Sequence, residues 1–216
     1  MEQKVILFQG DSITDCGRDK EKQSNNGRGY AHLVSAHLNA EEPMAYQCIN
    51  RGISGNRVVD LYARIKIDMI NLKPDYMSIL IGINDVWHEL HESPNGVDAE
   101  KFYKIYAMLI EELQAALPEM KIMIMEPFVL HGSATNTDEE HPGRWEHFSS
   151  ECVLRRQAAK RVAEKYGLPF IPLQELLDRV SADTPEGYWL ADGVHPTPAG
   201  HELIKREWLK IFETTK

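Results

Sequence analysis

Cysteine is scarce in this 216-residue chain: Cys16, Cys48 and Cys152 are the full set, odd in number and widely spaced. They match neither a disulfide framework nor the paired spacing of a zinc ribbon, and they suit a reducing cytosol. Long apolar runs are missing too. The first run, Val5 to Phe8, meets Gly10-Asp11 at once, too short for a signal peptide, and no stretch approaches the roughly 20 apolar residues that span a bilayer. A cytoplasmic protein without membrane contact is the expectation. Positive charge is also short, since 24 Lys and Arg against 33 Asp and Glu leave a net −9 at pH 7. That field repels phosphate backbones, argues against a nucleic-acid partner and fits a neutral or cationic substrate better. Flexible linkers, internal repeats and low-complexity tracts are absent, so residues 1–216 read as one domain.

What is present is alternation. Hydrophobic types make up 43% of the chain, enough for one sizeable core. Short apolar runs at Val5 to Gln9, Tyr46 to Asn50, Tyr76 to Ile81, Lys121 to Met125 and Leu168 to Ile171 read as five strands. Between them lie helical periods: Tyr30, Leu33, Val34, His37 and Leu38, then Val58, Leu61, Ile65 and Met69, then Phe102, Ile105, Tyr106, Leu109 and Leu113. Each set predicts one buried helical face. Leu117-Pro118 and Tyr166-Gly167-Leu168-Pro169 stop two helices, and Pro196-Thr197-Pro198 opens the last. Strands and helices in this order predict an α/β protein, a flavodoxin-like three-layer α/β/α sandwich on a five-stranded parallel sheet. In such sheets ligands bind beyond the carboxyl ends of the strands. The polar, His-rich segment Phe128 to Ser149 reads as a long loop over that crevice.

The first strand runs into Gly10-Asp11-Ser12-Ile13-Thr14, which sets a serine hydroxyl just past a carboxyl end. A lone serine there is ordinarily a turn former or helix cap, and it needs partners to count as a nucleophile. Those partners are an imidazole to take its proton and a carboxylate to hold the imidazole's tautomer. Ala191-Asp192-Gly193-Val194-His195-Pro196 offers both. Asp192 can fold back on Nδ1 of His195, leaving Nε2 to face Ser12, although Asp-Gly and His-Pro are also common turn and helix-entry pairs. Two further strand ends offer donors for an oxyanion: the Gly55 main-chain N–H in Asn50-Arg51-Gly52-Ile53-Ser54-Gly55-Asn56, and the Asn84 amide in Gly82-Ile83-Asn84-Asp85. Singly, each is an ordinary strand-to-helix turn. Taken together they are hard to dismiss, because an acyl-transfer site needs each of them.

With these four blocks in order, the chain resembles the GDSL esterases, or SGNH hydrolases, over nearly its whole length. The resemblance implies the SGNH hydrolase fold, with Ser12 as nucleophile, His195 as base, Asp192 as its orienter, and an oxyanion hole of the Ser12 N–H, the Gly55 N–H and the Asn84 amide. It calls for no cofactor and admits a homo-oligomer. The serine is not in a G-x-S-x-G elbow, so the larger α/β-hydrolase fold is not implied. The strings Gly10 to Arg18 and Ile83 to Trp87 are similar to those of bacterial intracellular carbohydrate acetylesterases acting on xylan-derived oligosaccharides, which implies acetylated short sugars as substrate. Asp11, Trp87 and Trp189 are the candidate substrate contacts, with Trp145 and Arg144 as a further surface; the indoles serve equally well as packing for the site's loops. Arg18 is expected to pair with a local carboxylate or a substrate oxygen.

Thioesterases, lysophospholipases and arylesterases share these blocks, and a non-catalytic carbohydrate-binding module is the alternative of a different class. The module would not need the full residue set, and a flavodoxin-like nucleotide binder would need a Gly-rich phosphate loop that is not here. His88-Glu89-Leu90-His91 spaces its histidines i, i+3 rather than the zinc-protease i, i+4, so no metal is expected.

Overall fold

The computed structural model describes residues 3–216. The chain enters on strand β1 (Lys4–Gly10) and passes a four-residue helix α1 (Ser12–Asp15), helix α2 (Tyr30–Glu41), strand β2 (Tyr46–Asn50) and helices α3 (Val58–Ala63) and α4 (Ile65–Asp68). Strand β3 (Tyr76–Leu80), helices α5 (Ile83–Trp87) and α6 (Ala99–Ala116) and strand β4 (Lys121–Met125) follow. A 23-residue helix α7 (Arg144–Tyr166), strand β5 (Phe170–Ile171), α8 (Gln174–Ser181) and α9 (Pro198–Thr215) complete it. All five strands are parallel, in the order β2-β1-β3-β4-β5, the doubly wound order expected.

Alternation along β1 builds two core layers, because successive side chains point to opposite faces. Ile6 and Phe8 meet Tyr30, Val34 and Leu38 of α2 and Ile204, Trp208 and Phe212 of α9. Leu7 faces the other way, toward Leu61 of α3, Phe102, Tyr106 and Leu109 of α6 and Ala159 and Val162 of α7. The first layer is anchored by Trp208, fully buried, with its ring 4.8 Å from Phe212 and 5.5 Å from Phe8. In the second, buried Arg155 of α7 donates from Nε and Nη2 to the Val97 carbonyl and pairs with Glu151, tying α7 to the entry of α6.

Several boundaries differ from the sequence expectation, each for a local reason. The period from Val58 to Met69 is not one helix: the chain breaks at Arg64, whose guanidinium turns back to Asn56 and Asp68, while Leu61, Ile65 and Met69 all stay buried. In α2, His37 is exposed, because the stripe packed on β2 and α9 is the narrower Tyr30, Ala31, Val34 and Leu38. The last strand shrinks to Phe170–Ile171, flanked by Pro169 and Pro172, neither of which can donate to a ladder. The expected loop from Phe128 to Ser149 ends early, since Gly143 sets the left-handed turn (φ 74°) that starts α7 at Arg144. The stop at Gly167 is as expected, with φ 63° in the left-handed region.

Replacing Trp208 by Ala should cost about 3–5 kcal/mol, the range for emptying a large aromatic from a packed core. Urea denaturation measures it, and a loss under about 1 kcal/mol would show that the Phe8–Trp208–Phe212 stack does not hold the α9 layer.

Candidate active site

Parallel strands end on one side of the sheet, and there the four sequence blocks meet. β1 delivers Asp11 and Ser12; Ile13 N–H donates to Asp11 Oδ1 at 2.9 Å, which caps α1 and starts its single turn at Ser12. The Ser12 hydroxyl lies 2.9 Å from Nε2 of His195, across 183 residues of chain. On the other side of the imidazole, Nδ1 lies 2.7 Å from Asp192 Oδ2. Since an ionised carboxylate only accepts, Nδ1 carries the proton and Nε2 is left as the acceptor for the serine hydroxyl.

Asp192 is oriented by its own turn. Its Oδ1 accepts the main-chain N–H groups of Val194 (2.9 Å) and His195 (2.8 Å), an Asx-type turn that needs the short Asp side chain. Gly193 occupies the crowded point of that turn, with φ 96°, and a Cβ there would lie 2.4 Å from Thr135 Oγ1 and 2.6 Å from the Leu130 carbonyl. The segment after β4 is thus a brace: Leu130 N–H donates to the Gly193 carbonyl and Ala134 N–H to the Asp192 carbonyl, each at 2.9 Å. The expected loop over the crevice holds the Asp192–His195 turn from behind.

Three groups disposed to donate complete the arrangement. The Ser12 N–H is at the first position of α1, where a helix has no internal partner for it. Gly55 has φ 83°, and a Cβ built on it meets nothing within 4 Å, so it faces open space, and its N–H has no partner among the described residues. Asn84, in the first turn of α5 and 6% exposed, gives one amide hydrogen to the Asn56 carbonyl at 3.1 Å and keeps the other. Beside it, buried Asp85 accepts the Val58 N–H at 3.1 Å and so ties α5 to the start of α3.

Charges follow from these contacts. Burial works against ionising Asp192, but the hydrogen bonds from the His195 side chain and from two main-chain N–H groups outweigh it and hold the carboxyl at about 2. The Asp192 hydrogen bond raises His195 above the ordinary imidazole value, against burial, which lowers it. Burial lifts Asp11 to about 7, although the Ile13 N–H and nearby His195 favour its ionised form. His201 is pushed down to about 4 by burial and by His195. It accepts the Tyr30 N–H on Nδ1 (3.1 Å), so Nε2 carries the proton and points it at Cys16 Sγ, 3.3 Å away. This neutral histidine, which pins the start of α9 to α1 and α2, was not singled out by any sequence motif.

The candidate contact residues divide. Asp11 is 1% exposed and caps α1, so it acts on the turn that bears Ser12 and is not a substrate contact. Trp87 is half-buried, its ring 6.0 Å from that of His195 and edge-on to Phe148 at 5.6 Å. Trp189 donates from Nε1 to the Val180 carbonyl at 3.0 Å and lines a cleft of about 260 Å³ with Leu130, His131 and Thr184. Trp145 is stacked on His131 at 3.6 Å, so one of its faces is taken. Arg18 Nε donates to the Gly52 carbonyl at 2.8 Å, a main-chain oxygen where a local carboxylate was one expected partner. His88 and His91 have ring centroids 4.7 Å apart, and no three His, Cys, Asp or Glu side chains are grouped to hold a metal among the described residues.

A serine hydroxyl, imidazole and carboxylate in series, with open donors beside the hydroxyl, is an arrangement that can transfer an acyl group. The model of the GDSL-like lipase/acylhydrolase family matches residues 8–203. The chain belongs to that family. It is a carboxylic ester hydrolase with the family's five-stranded α/β fold. It is 34% identical to an acetylxylan esterase of Geobacillus stearothermophilus, over 95% of this chain and 92% of that one. Among solved structures it superposes on a GDSL-like lipase of Parabacteroides merdae with a TM-score of 0.89 at 33% identity, covering 98% of this chain and 96% of that one. For a catalytic mutant of the G. stearothermophilus acetylxylan esterase the TM-score is 0.83 at 31% identity, covering 98% and 96%.

If His195 is the base for Ser12 it must be neutral to act, and kcat/KM should then fall as pH drops through a midpoint above the ordinary imidazole value of 6.5. Replacing Asp192 by Asn should lower kcat by about 10⁴-fold through the wrong tautomer and move that midpoint down. A pH–rate profile checks both, and a flat profile down to pH 5 would exclude His195 as the base.

Proposed function

We propose that this protein is a serine esterase that removes O-acetyl groups from short, xylan-derived oligosaccharides through an acetyl-serine intermediate. The observation that carries the reading is the unbroken series from the Ser12 hydroxyl through His195 to Asp192. Ser12 Oγ attacks the acetyl carbonyl as His195 Nε2 takes its proton, and Asp192 holds the imidazolium that forms. The Ser12 N–H, the Gly55 N–H and the free hydrogen of the Asn84 amide receive the oxyanion. His195 then gives its proton to the departing sugar hydroxyl. In the second half, His195 activates a water, which attacks the acetyl carbonyl, and the collapse returns the proton to Ser12 and releases acetate.

The substrate reading is supported by the relatives. The G. stearothermophilus enzyme is described as an acetylxylan esterase and as an acetyl-xylooligosaccharide esterase. Its catalytic mutants replace a histidine, an aspartate and a serine by alanine, the three residue types hydrogen-bonded in series here. The indole of Trp87 stands beside His195, where it can wall the reacting centre against bulky acyl groups, and Trp189 lines the neighbouring cleft as a surface for a sugar ring. The three free thiols of Cys16, Cys48 and Cys152 fit action in the cytoplasm, on sugars small enough to have been imported.

Replacing Ser12 by Ala should lower activity on p-nitrophenyl acetate by at least about a thousandfold. Acetylated xylooligosaccharides should release acetate, while butyrate and longer esters react poorly. More than a few per cent of activity left in Ser12→Ala would remove the nucleophile assignment. A preference for octanoyl or acyl-thioester substrates would move the substrate to lipids.

A further inference from the structure

Helix α1 carries a second functional group besides the Ser12 hydroxyl. At its last position Asp15, 5% exposed, takes donors on both carboxylate oxygens. Oδ2 accepts the Ser54 N–H at 3.1 Å and the Ser54 hydroxyl at 3.2 Å, while Oδ1 accepts the Arg18 N–H at 3.2 Å. Ser54 directly precedes Gly55. With its N–H and its hydroxyl both held, Ser54 keeps one soft torsion, ψ, and that torsion alone turns the planar peptide that presents the Gly55 N–H. On the far side of Gly55, Asn56 is held too: its N–H donates to the Ile53 carbonyl at 3.1 Å and its carbonyl takes the Asn84 amide at 3.1 Å.

The start of the loop is bound to the same helical turn. Arg18 Nε donates to the Gly52 carbonyl at 2.8 Å, Asn50 Nδ2 donates to the Thr14 carbonyl at 2.6 Å, and Asn50 Oδ1 accepts the Gly52 N–H at 2.8 Å. The approach is so close that a Cβ on Gly52 would lie 2.3 Å from the Asp15 nitrogen. We propose that Asp15 is the positioning residue of the oxyanion hole: its carboxylate holds Ser54, and through it the Gly55 N–H, at a set place relative to Ser12 on the same turn. The assignment rests on the oxyanion role proposed for Gly55. A carboxylate is needed because three donors converge and the side chain must accept at both ends. An Asn would turn an NH₂ against Arg18 or against Ser54.

Asp15→Asn tests this, with Ser12→Ala alongside. The expected result is a fall in kcat on p-nitrophenyl acetate of at least about tenfold, toward the roughly 10²–10³-fold cost of losing one oxyanion donor. KM should stay within about twofold, and the inhibition constant of phenylboronic acid, which adds to the serine as a tetrahedral anion, should rise by a factor similar to the loss in kcat. A purely structural staple would lower the melting temperature and the yield of folded enzyme and leave kcat and boronate affinity per folded molecule alone. If Asp15→Asn does not fold, Ser54→Ala is read instead; it removes one of the two Ser54 bonds and should lower kcat about two- to fivefold at an unchanged melting temperature. Wild-type kcat in the variant read, or a loss confined to KM, overturns the proposal. Ser12→Ala separates the two levels: if it stays active, the esterase site and the Asp15 role both fall, and if it is inactive while Asp15→Asn is fully active, only the Asp15 role falls.

Discussion

β1 lies between β2 and β3, with Phe8 paired to Asn50 and Gly10 to Leu80, so the carboxyl ends of three parallel strands stop at nearly the same level. This parallel register is the constraint on which the rest depends. It puts the turn bearing Ser12, the loop bearing Gly55 and the helix bearing Asn84 side by side before any side chain is considered. Contacts among those segments then lock them: Ile53 N–H on the Gly10 carbonyl, Asp85 on the Val58 N–H, Asn84 on the Asn56 carbonyl. The fourth block arrives from the far end of the sequence and is shaped by its own Asp192 turn, so it has only to be set down in the right place. The segment from Leu130 to Thr135 behind it, and His201 below it, do that.

Much of this was legible in the sequence. The strand count, the parallel doubly wound order and the four blocks could be read because each rests on a local signal: an apolar run, a helical period, or Gly, Asp and Asn at strand ends. The Asp192–His195 pairing was legible for the same reason, since a three-residue step is short and its glycine can take the positive φ that folds the carboxylate back. Boundaries fared less well where tertiary contacts override period. The break at Arg64 depends on Asn56 and Asp68 receiving a guanidinium, and nothing in the apolar spacing, which runs through it unbroken, reports that.

Site residues that act through other residues were the hardest to see. Asp11 stands next to Ser12 in sequence and so resembled a substrate contact, but strand geometry turns it inward. Asp15 and His201 sit in no recognisable pairing with their partners, because Ser54 and Tyr30 reach them across the fold. Of the tryptophans, Trp87 has its ring 6.0 Å from that of His195, while Trp189 is held on the Val180 carbonyl and against Tyr188. Which of their faces are free is a matter of packing against Phe148, His131 and Tyr188, and this only coordinates reveal.

The separation of 183 positions between Ser12 and His195 has a bearing on how the molecule is made. Synthesis runs from the N-terminus, and the segments that include the Ser12 turn, the Gly55 loop and the Asn84 helix are all finished while the Asp192 turn is still unmade. On the proposed mechanism, a growing chain carries Ser12, Gly55 and Asn84 before it carries the base that would activate the serine. Hydrolytic power switches on only when the stretch from Trp189 onward has been completed and α9 has docked through Trp208 and His201. Completion of the C-terminal helix is then a condition both for the first core layer and for the base.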